Sequence, residues 1–252
     1  YTKLCLKTVW RYLILNEIIS IKNADISYFS SKNKKSGNKC EIKILTDVNF
    51  YIKTGEVVGL IGSSGCGKST LSYVLCGLKS ISSGEISCPF DKVAMVLQNP
   101  ESSFDTMWSI GKTLFEVKVS YLKRHKLFVP AKTEIEKEFK FWFSKLGIDE
   151  SKLYNYPSQF SGGELQRIAI ICALLRNSKI IIFDEATSML DVLVQAKVMK
   201  LLMKIREEYN LSYIIISHDT DMIKLLCNRI YEIENGHIKE LTKDKEGKIV
   251  YS

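Results

Sequence analysis

The sequence predicts an α/β fold built around a parallel β-sheet whose strands are buried on both faces. Three short apolar runs carry this prediction, because each is too short for a helix and lacks the polar alternation of a half-exposed strand. The runs are Val57–Ile61, Lys179–Phe183 and Ser212–Ile216. Open parallel sheets bind ligands beyond the carboxyl ends of their strands. The residues that follow the three runs are therefore the first candidates for a functional site.

The composition is that of an ordinary globular chain. Its 252 residues carry a formal net charge of +8, with 46% hydrophobic and 25% charged residues. A chain this apolar can bury enough surface to fold, which excludes an intrinsically disordered protein. Four prolines and 14 glycines exclude collagen-like and low-complexity classes. The length allows one large domain or two small ones.

The first residues raise the question of a membrane segment. The apolar stretch Leu4–Ile21 is interrupted by Lys7, Arg11 and Glu17, so it predicts neither a spanning helix nor a signal peptide. We interpret residues 1–15 as an N-terminal extension, either an amphipathic lead-in or a poorly ordered segment. A membrane anchor is the alternative.

Cysteines and lysines indicate no separate activity. Seven cysteines are scattered without a C-x-x-C pair, which argues against a disulfide framework and a zinc site and is typical of a reducing cytosol. The positive charges are dispersed, and Lys32–Lys35 is the one tight cluster. Serine, glycine and asparagine follow it, so we interpret it as a solvated loop.

A glycine-rich motif directly follows the first apolar run. It fits G-x-x-x-x-G-K-[S/T], the phosphate-binding P-loop, and a helical pattern with Leu71, Val74, Leu75 and Leu78 on one face comes after it. Strand, loop and helix in this order are the context that the motif requires. The residues of the loop are Gly62, Ser63, Ser64, Gly65, Cys66, Gly67, Lys68, Ser69 and Thr70.

Each residue type in this loop suits the binding of a nucleotide triphosphate. Glycines let backbone N–H groups surround phosphate oxygens, and the helix N-terminus adds its positive dipole end. Lys68 is predicted to reach the β- and γ-phosphates and Ser69 to coordinate Mg²⁺. Thr70 supports the α- and β-phosphate region, and Cys66 fills a variable position.

The second and third runs end in ionisable residues. Asp184 and Glu185 follow the second run. If that strand neighbours the first, Asp184 would hold the Mg²⁺ shell and Glu185 would act as general base on the attacking water. The alternative is an acidic pair that merely favours the start of a helix. His218 follows the third run, where it would sense the γ-phosphate.

A further motif leads to a family resemblance. Ser161-Gly162-Gly163-Glu164 is followed by Leu165-Gln166-Arg167, and with this motif the chain resembles the nucleotide-binding subunit of ABC transporters from about Asn16 to Leu241. Residues 62–70 then match the Walker A loop and Ile180–Glu185 match Walker B. Ser188–Asp191 match the D-loop.

The resemblance implies roles for individual residues. Tyr28 would stack on adenine, and Gln98 would touch Mg²⁺ and signal to the membrane subunit. Glu185, His218 and Gln98 form the implied catalytic set, and Ser69, Gln98 and Asp184 form the implied Mg²⁺ set. The implied cofactors are ATP and Mg²⁺.

The signature motif implies a dimer. Ser161 can cap the following helix, so that backbone N–H groups point at an anion. By resemblance, Ser161, Gly162, Gly163 and Glu164 would contact in trans the ATP held by the opposite subunit's P-loop. Two ATP molecules would lie between head-to-tail subunits. The sequence departs from the common pattern at Phe160, Glu164, Ala186 and Met189.

The resemblance also implies the architecture: an α/β P-loop NTPase (RecA-like) core sheet, an N-terminal antiparallel β subdomain and an inserted helical subdomain. We expect residues 16–252 to form a single ABC ATPase domain with the helical subdomain at about 99–176. Its predicted core residues recur at helical spacing: Phe115, Val119, Leu122, Ile135, Phe139, Trp142, Phe143 and Leu146.

Three segments favour the peptide/nickel importer branch of the family. They are Gln98–Phe104, Tyr156–Gln159 and Leu190–Ala196. The short ending after His218 favours a nickel or metallophore subunit over the longer oligopeptide subunits. In the segment Ser102–Gly111, Phe104 and Trp108 are interpreted as exposed aromatics of a groove for the permease, with burial as the alternative for Trp108.

The resulting hypothesis is an ATP-hydrolysing subunit of an importer for a small peptide, nickel or a metal–metallophore complex. Its expected partners are a second ATPase subunit, identical or homologous, two integral-membrane permease subunits and, indirectly, a solute-binding protein. It is expected at the cytoplasmic face of the membrane, without nucleic acid. The alternative is a soluble ABC ATPase that acts on nucleic acid or ribosomes.

Overall fold

The computed structural model describes residues 17–30, 40–186, 192–243 and 249–251. The predicted extension 1–15, the lysine cluster at 32–35 and the D-loop at 188–191 lie outside these residues. Within the described segments, no helix combines the length and the apolar character needed to cross a membrane.

The described chain contains ten strands and six α-helices. The strands are β1 (Glu17–Ser30), β2 (Cys40–Lys53), β3 (Val57–Gly62), β4 (Ser83–Ser87), β5 (Val93–Val96), β6 (Ile180–Asp184), β7 (Ser212–Ile216), β8 (Arg229–Glu234), β9 (His237–Lys243) and β10 (Ile249–Tyr251). The helices are α1 (Lys68–Leu75), α2 (Ile110–Arg124), α3 (Lys132–Lys145), α4 (Gly162–Leu175), α5 (Val192–Tyr209) and α6 (Thr220–Leu226).

The central sheet has seven strands in the order β10-β9-β8-β3-β7-β6-β5. Strands β8, β3, β7, β6 and β5 run parallel to one another, whereas β9 pairs antiparallel with both β8 and β10. The predicted α/β sheet is therefore confirmed. The three apolar runs of the sequence form β3, β6 and β7, which lie side by side in this sheet.

The sheet is buried on both faces, and β7 shows how. Ile214 and Ile216 point into one hydrophobic cluster, and Tyr213 and Ile215 point into the other. Because successive side chains of a strand alternate between faces, a strand covered on both sides must be apolar at every position. This requirement explains the unbroken apolar run in the sequence.

The two faces are covered by different elements. Strands β1, β2 and β4 form a three-stranded antiparallel sheet in the order β2-β1-β4, and its core residues join α1 on one face. Helices α2, α3, α4 and α5 contribute to the cluster on the other face. Three of these helices, α2 to α4, lie between β5 and β6 in the chain. The predicted N-terminal antiparallel sheet and inserted helices are both present.

The strand order does not meet the condition under which the sequence analysis assigned Asp184 to Mg²⁺. Strand β6, which carries Asp184, does not neighbour β3, because β7 lies between them. The expected approach of Asp184 to the P-loop is nevertheless made, because the loop extends the chain past the end of β3. Ser69 at the start of α1 then contacts Asp184.

Two predictions of side-chain exposure, for Leu78 and Phe104, are wrong. Leu78 was expected on the buried face of the P-loop helix, but α1 ends at Leu75 and Leu78 is largely exposed. Phe104 was expected to be an exposed aromatic, but it is only 7% exposed and belongs to the helical core. Neither residue lies within a long periodic element, so sequence spacing could not decide its burial.

Candidate nucleotide-binding site

The P-loop adopts a conformation that only glycine accommodates at two of its positions. Gly67 has φ 114°, and a Cβ there would lie 2.8 Å from Leu45. Gly62 has φ 147°, and a Cβ there would lie 2.5 Å from the carbonyl oxygen of Ile233. Residues with side chains avoid this region of φ. The two outer glycines of the motif therefore shape the loop itself.

No side chain caps the backbone donors at the N-terminus of α1. Gly67 is the N-cap residue of this helix. The first N–H groups of a helix have no partner within the helix, and the dipole makes this end positive. An anion can accept hydrogen bonds from these N–H groups and is attracted by the positive end of the dipole, so a phosphate suits this position.

Lys68 is buried against the backbone of the same loop. Its Nζ donates hydrogen bonds of 2.8 Å to the carbonyl oxygens of Gly62 and Ser63, and it lies 3.9 Å from Sγ of Cys66. The lysine is 7% exposed. Because a buried ammonium is stable only with partners, these carbonyls hold the charge in place beside the loop.

A hydroxyl and a carboxylate meet at the ends of α1 and β6. Ser69 Oγ donates to Asp184 Oδ2 at 3.2 Å. Burial raises the pKa of Asp184, an effect that the Ser69 hydrogen bond opposes and the charge of Glu185 reinforces. Hydroxyl and carboxylate oxygens are ligands that Mg²⁺ prefers. The pair therefore forms a donor set suited to a hard divalent cation.

Glu185 is held in an unusual backbone conformation. Its φ is 51°, in the left-handed region that residues other than glycine rarely occupy. Its N–H donates to the carbonyl of Ile216 at the end of β7 (3.0 Å). Such conformations cost free energy and persist where the surrounding structure imposes them, often at functional sites. Here the conformation turns the carboxylate toward the end of β7.

His218 lies directly beside this carboxylate. Its Nε2 is 2.7 Å from Oε1 of Glu185. An ionised carboxylate only accepts hydrogen bonds, so Nε2 is the donor in this pair. The imidazole thereby fixes the orientation of the Glu185 carboxylate.

The P-loop and the two acidic residues enclose one cleft of about 170 Å³. Its lining residues are Ser64, Gly65, Gly67, Lys68, Ser69, Thr70, Asp184 and Glu185. Most of the residues that the sequence analysis assigned to the phosphates and to Mg²⁺ are thus assembled at one place. Gly62, Ser63 and Cys66 belong to the loop but do not line the cleft.

Gln98 and Tyr28, which were also predicted as site residues, lie outside this lining as well. Gln98 is exposed and follows β5, the neighbour of β6, at the same carboxyl edge of the sheet. Tyr28 lies on β1 and is 42% exposed, and the Lys79 ammonium sits 3.7 Å from the centroid of its ring.

The signature motif forms a capped helix start, as predicted. Ser161 Oγ accepts a hydrogen bond from Glu164 N (3.3 Å), and Glu164 Oε2 accepts one from Ser161 N (2.9 Å). These reciprocal bonds are a capping box. Residues 161–164 do not contribute to the P-loop cleft of their own chain.

Sequence reasoning missed one partner of this motif. Lys152 Nζ donates to Glu164 Oε1 at 2.7 Å. The two residues are 12 positions apart, too far for a pairing within one helix. The signal available was the unusual acid at position 164, which requires a counter-charge if it is not exposed.

A P-loop, a hydroxyl–carboxylate pair suited to Mg²⁺ and an acidic residue that contacts a histidine together define the class of nucleotide-hydrolysing P-loop proteins. Residues 45–188 match the profile of the ABC transporter family, described as "ABC transporter". The chain belongs to this family and is an ATP-binding cassette ATPase. The family match covers the P-loop, the signature motif and both acidic residues.

Relatives with named functions support this membership. The chain is 32% identical over 245 residues to the oligopeptide transport ATP-binding protein OppF of Streptococcus mutans, covering 91% of this chain and 76% of that protein. It is 32% identical over 228 residues to the nickel import ATP-binding protein NikE of Escherichia coli O157:H7, covering 86% of this chain and 84% of that protein. The equal identities do not separate the peptide from the nickel branch.

Solved structures show the same fold. A dimeric post-hydrolysis form of the ATP-binding cassette MJ0796, bound to ADP and Pi, matches with a TM-score of 0.73 at 26% identity, covering 87% of this chain and 96% of that one. The cbiO1 protein of Clostridium perfringens, part of the ABC transporter complex cbiONQ, matches in fold with a TM-score of 0.71 at 24% identity. That match covers 88% of this chain and 87% of cbiO1.

Proposed function

We propose that this chain is the ATP-hydrolysing subunit of an ABC importer that takes up a small peptide, nickel or a metal–metallophore complex. The observation that carries the ATPase part is the assembly of Lys68, Ser69, Asp184 and Glu185 around one cleft, with His218 against Glu185. The cargo is proposed from the similarity to OppF and NikE. No observation favours the alternative of a non-transport ABC ATPase.

The phosphates of ATP are proposed to bind the backbone donors of the P-loop and the N-terminus of α1. Lys68 would exchange its bonds to the Gly62 and Ser63 carbonyls for phosphate oxygens. Ser69, Asp184 and Gln98 would hold Mg²⁺, which supplies positive charge against the phosphates when bound. The Ser69–Asp184 contact supports this assignment.

Glu185 is proposed as the general base. Its carboxylate accepts from His218 on one oxygen, so its orientation is set before a water molecule binds. It would remove a proton from the water that attacks the γ-phosphate, and His218 would contact that phosphate. The left-handed backbone of Glu185 supports this role, because it directs the side chain to the end of the sheet.

Tyr28 is proposed to stack on adenine. Lys79 covers one face of its ring and also donates to the Ser27 carbonyl at 2.6 Å. We assign the adenine to the opposite ring face. The pair then supplies a π surface and a positive charge close to the nucleotide.

The second half of each ATP site is proposed to come from another subunit through Ser161, Gly162, Gly163 and Glu164. A Cβ at Gly162 would meet no atom within 4 Å, so nothing in this chain requires glycine there. We attribute the glycine at position 162 to the close approach of a nucleotide bound by the other subunit, which a side chain there would obstruct. The dimeric MJ0796 structures support this arrangement. The partner subunit is proposed to be a copy or a homologous ATPase.

We further propose that residues 16–252 form one cassette, with residues 99–176 as its helical subdomain, at the cytoplasmic face of the membrane.

Two permease subunits would dock on an apolar surface formed by Met107, Trp108, Tyr154 and Tyr156. Met107 is 80% exposed and the two tyrosines are exposed, whereas Trp108 is half-buried. The hydrogen bond from Ile110 N to Asn155 O holds the two segments together (2.9 Å). This surface replaces the predicted groove around Phe104.

Purification of the tagged chain from gently solubilised native membranes, followed by mass spectrometry, tests the importer assignment. We expect two integral permease subunits and an ATPase partner, with the identity of the permeases separating peptide from nickel uptake. Recovery with ribosomes or DNA-repair proteins and no membrane protein would overturn it.

A matched pair of variants tests the docking surface. Met107→Glu should abolish recovery of the permeases, because a charge would then be buried in an apolar contact. Phe128→Glu is the control, since Phe128 is 84% exposed but lies outside this surface. Equal recovery of permeases with Met107→Glu and the wild type would show that they dock elsewhere.

A further inference from the structure

The signature loop of this chain contains a negative charge that opposes the binding of a phosphate. Glu164 places a carboxylate in the first turn of α4, at the loop proposed to receive the γ-phosphate of an ATP held by another subunit. A carboxylate stabilises its own helix N-terminus, but it repels an incoming phosphate. A glutamine at this position would cap the helix without that charge.

Both oxygens of this carboxylate are already engaged. Oε2 accepts hydrogen bonds from Ser161 N at 2.9 Å and from Ser161 Oγ at 3.2 Å. Oε1 accepts one from Lys152 Nζ at 2.7 Å. The carboxylate thus links the loop's capping serine to a positive charge from another segment. Burial acts to raise the pKa of Glu164, but the hydrogen bonds from Lys152 and Ser161 outweigh it and lower this pKa.

Lys152 reaches the loop from a well-supported position. It belongs to a short 3-10 helix, Glu150–Tyr154, whose Leu153 is buried in the helical core. Its N–H donates to the Asp149 carbonyl (3.1 Å) and its carbonyl accepts from Asn155 N (2.9 Å). A side chain on a hydrogen-bonded turn loses less freedom on pairing than one on a loose loop.

The same ammonium also faces the residue before the loop. Lys152 Nζ lies 5.6 Å from the centroid of the Phe160 ring, within the range of a cation–π contact. Phe160 and Glu164 are the two positions next to Ser161–Gly163 at which the sequence departs from the common signature pattern. Both departures therefore contact one lysine.

We infer that Lys152 is a positioning residue of the signature loop, which neutralises Glu164 and orients its cap so that the loop can accept the phosphate of an ATP bound by the partner subunit. The inference rests on the proposed function, since it assumes that the signature loop completes another subunit's ATP site. Its distinctive consequence is that Lys152 is required only while residue 164 is an acid.

The test is a set of four full-length proteins purified with their membrane partners: wild type, Lys152→Met, Glu164→Gln and the double variant. For Lys152→Met we expect kcat/KM for ATP to fall roughly ten-fold, the range of a charge-assisted hydrogen bond at a partly exposed site. The double variant should recover to within about three-fold of wild type, because a neutral glutamine needs no counter-charge. Lys152→Arg should behave like wild type.

Two controls separate this role from general stabilisation. Lys118→Met removes the Lys118–Glu138 pair between α2 and α3, which is comparably buried, with side-chain exposures of 17% and 36% against 32% and 17% for Lys152–Glu164. This variant should keep wild-type kcat/KM. In addition, the isolated Lys152→Met chain should bind ATP at its own P-loop with unchanged Kd.

Each result has one meaning. Wild-type kcat/KM in Lys152→Met would overturn the inference, and so would a loss that Glu164→Gln does not rescue, since that loss would be structural. Equal losses in Lys118→Met and Lys152→Met would overturn it as well. A wild-type complex that does not hydrolyse ATP would instead overturn the proposed function, and the inference with it.

Discussion

Two helices of this chain begin at loops suited to an anion, yet their first turns are built in opposite ways. Helix α1 begins after Gly67, and no side chain caps it. Helix α4 begins after Ser161 with a complete capping box, and Lys152 holds the capping acid. No side chain of the chain caps the first helix start, whereas the second start has one of its backbone donors, Glu164 N, bonded to its own serine.

This difference suits α1 to bind the nucleotide of its own chain and α4 to contact a nucleotide that another subunit has already bound. At α1 the backbone donors gain a partner when phosphate binds, so binding there supplies interactions that the chain lacks by itself. At α4 the loop is already ordered, so it can meet a nucleotide without a large cost of ordering. We therefore expect substitutions at the P-loop to have large effects on ATP affinity and hydrolysis. Substitutions at the signature loop should have smaller effects on both.

The largest effect should come from the general base beside the P-loop. Glu185→Gln should lower turnover by about 10²–10⁴-fold, because the amide cannot take a proton from water. ATP affinity should stay near the wild-type value. Single-turnover hydrolysis and equilibrium ATP binding measure the two quantities. Turnover within a few-fold of wild type would reject Glu185 as the base.

Next in size should be the loss of the P-loop ammonium. Lys68→Ala should weaken ATP binding by roughly ten- to hundred-fold, the range for a hydrogen bond to a charged group. Calorimetric titration of the isolated chain with ATP measures it, and Lys118→Ala serves as the control. Unchanged affinity would contradict the assignment of this loop to the phosphates.

A smaller effect is expected on the capped side. Ser161→Ala should lower the free energy of unfolding by about 1 kcal/mol, because Glu164 N loses its acceptor at the N-cap. No equivalent side chain exists at Gly67, so the comparison predicts that only the α4 start depends on a cap. Urea denaturation checks this prediction, and an unchanged midpoint would show that Glu164 and Lys152 hold the helix start alone.

The smallest effect concerns pH. The pKa of Glu164 is lowered in the folded chain: burial opposes this shift, and the bonds from Lys152 and Ser161 produce it. Its contribution to stability is therefore complete above the unfolded pKa of about 4.3 and is lost as the pH falls through the lower folded value. Unfolding curves between neutral and acidic pH should converge for wild type and Glu164→Gln. Parallel curves would contradict the shift.

Local patterns carried most of the successful predictions. The three buried strands, the P-loop and the Ser161 cap were all predicted, because each depends on residues within a few positions of one another. Phe104 and Leu78 were predicted wrongly, since their exposure depends on which other segments pack over them. The roles of Tyr28 and Gln98 stay predictions, because neither residue lines the cleft of the P-loop.

The sequence by itself determined the local conformations of this protein: strands from unbroken apolar runs, and a glycine loop from positions that exclude a Cβ. Only the tertiary structure decided that β7 lies between β3 and β6. It also decided that Ser69 meets Asp184, and that Lys152 meets Glu164. The physical reason is that strand order and distant ion pairs follow from how whole elements pack over a shared core, whereas φ preferences and hydrophobic periods act along the chain.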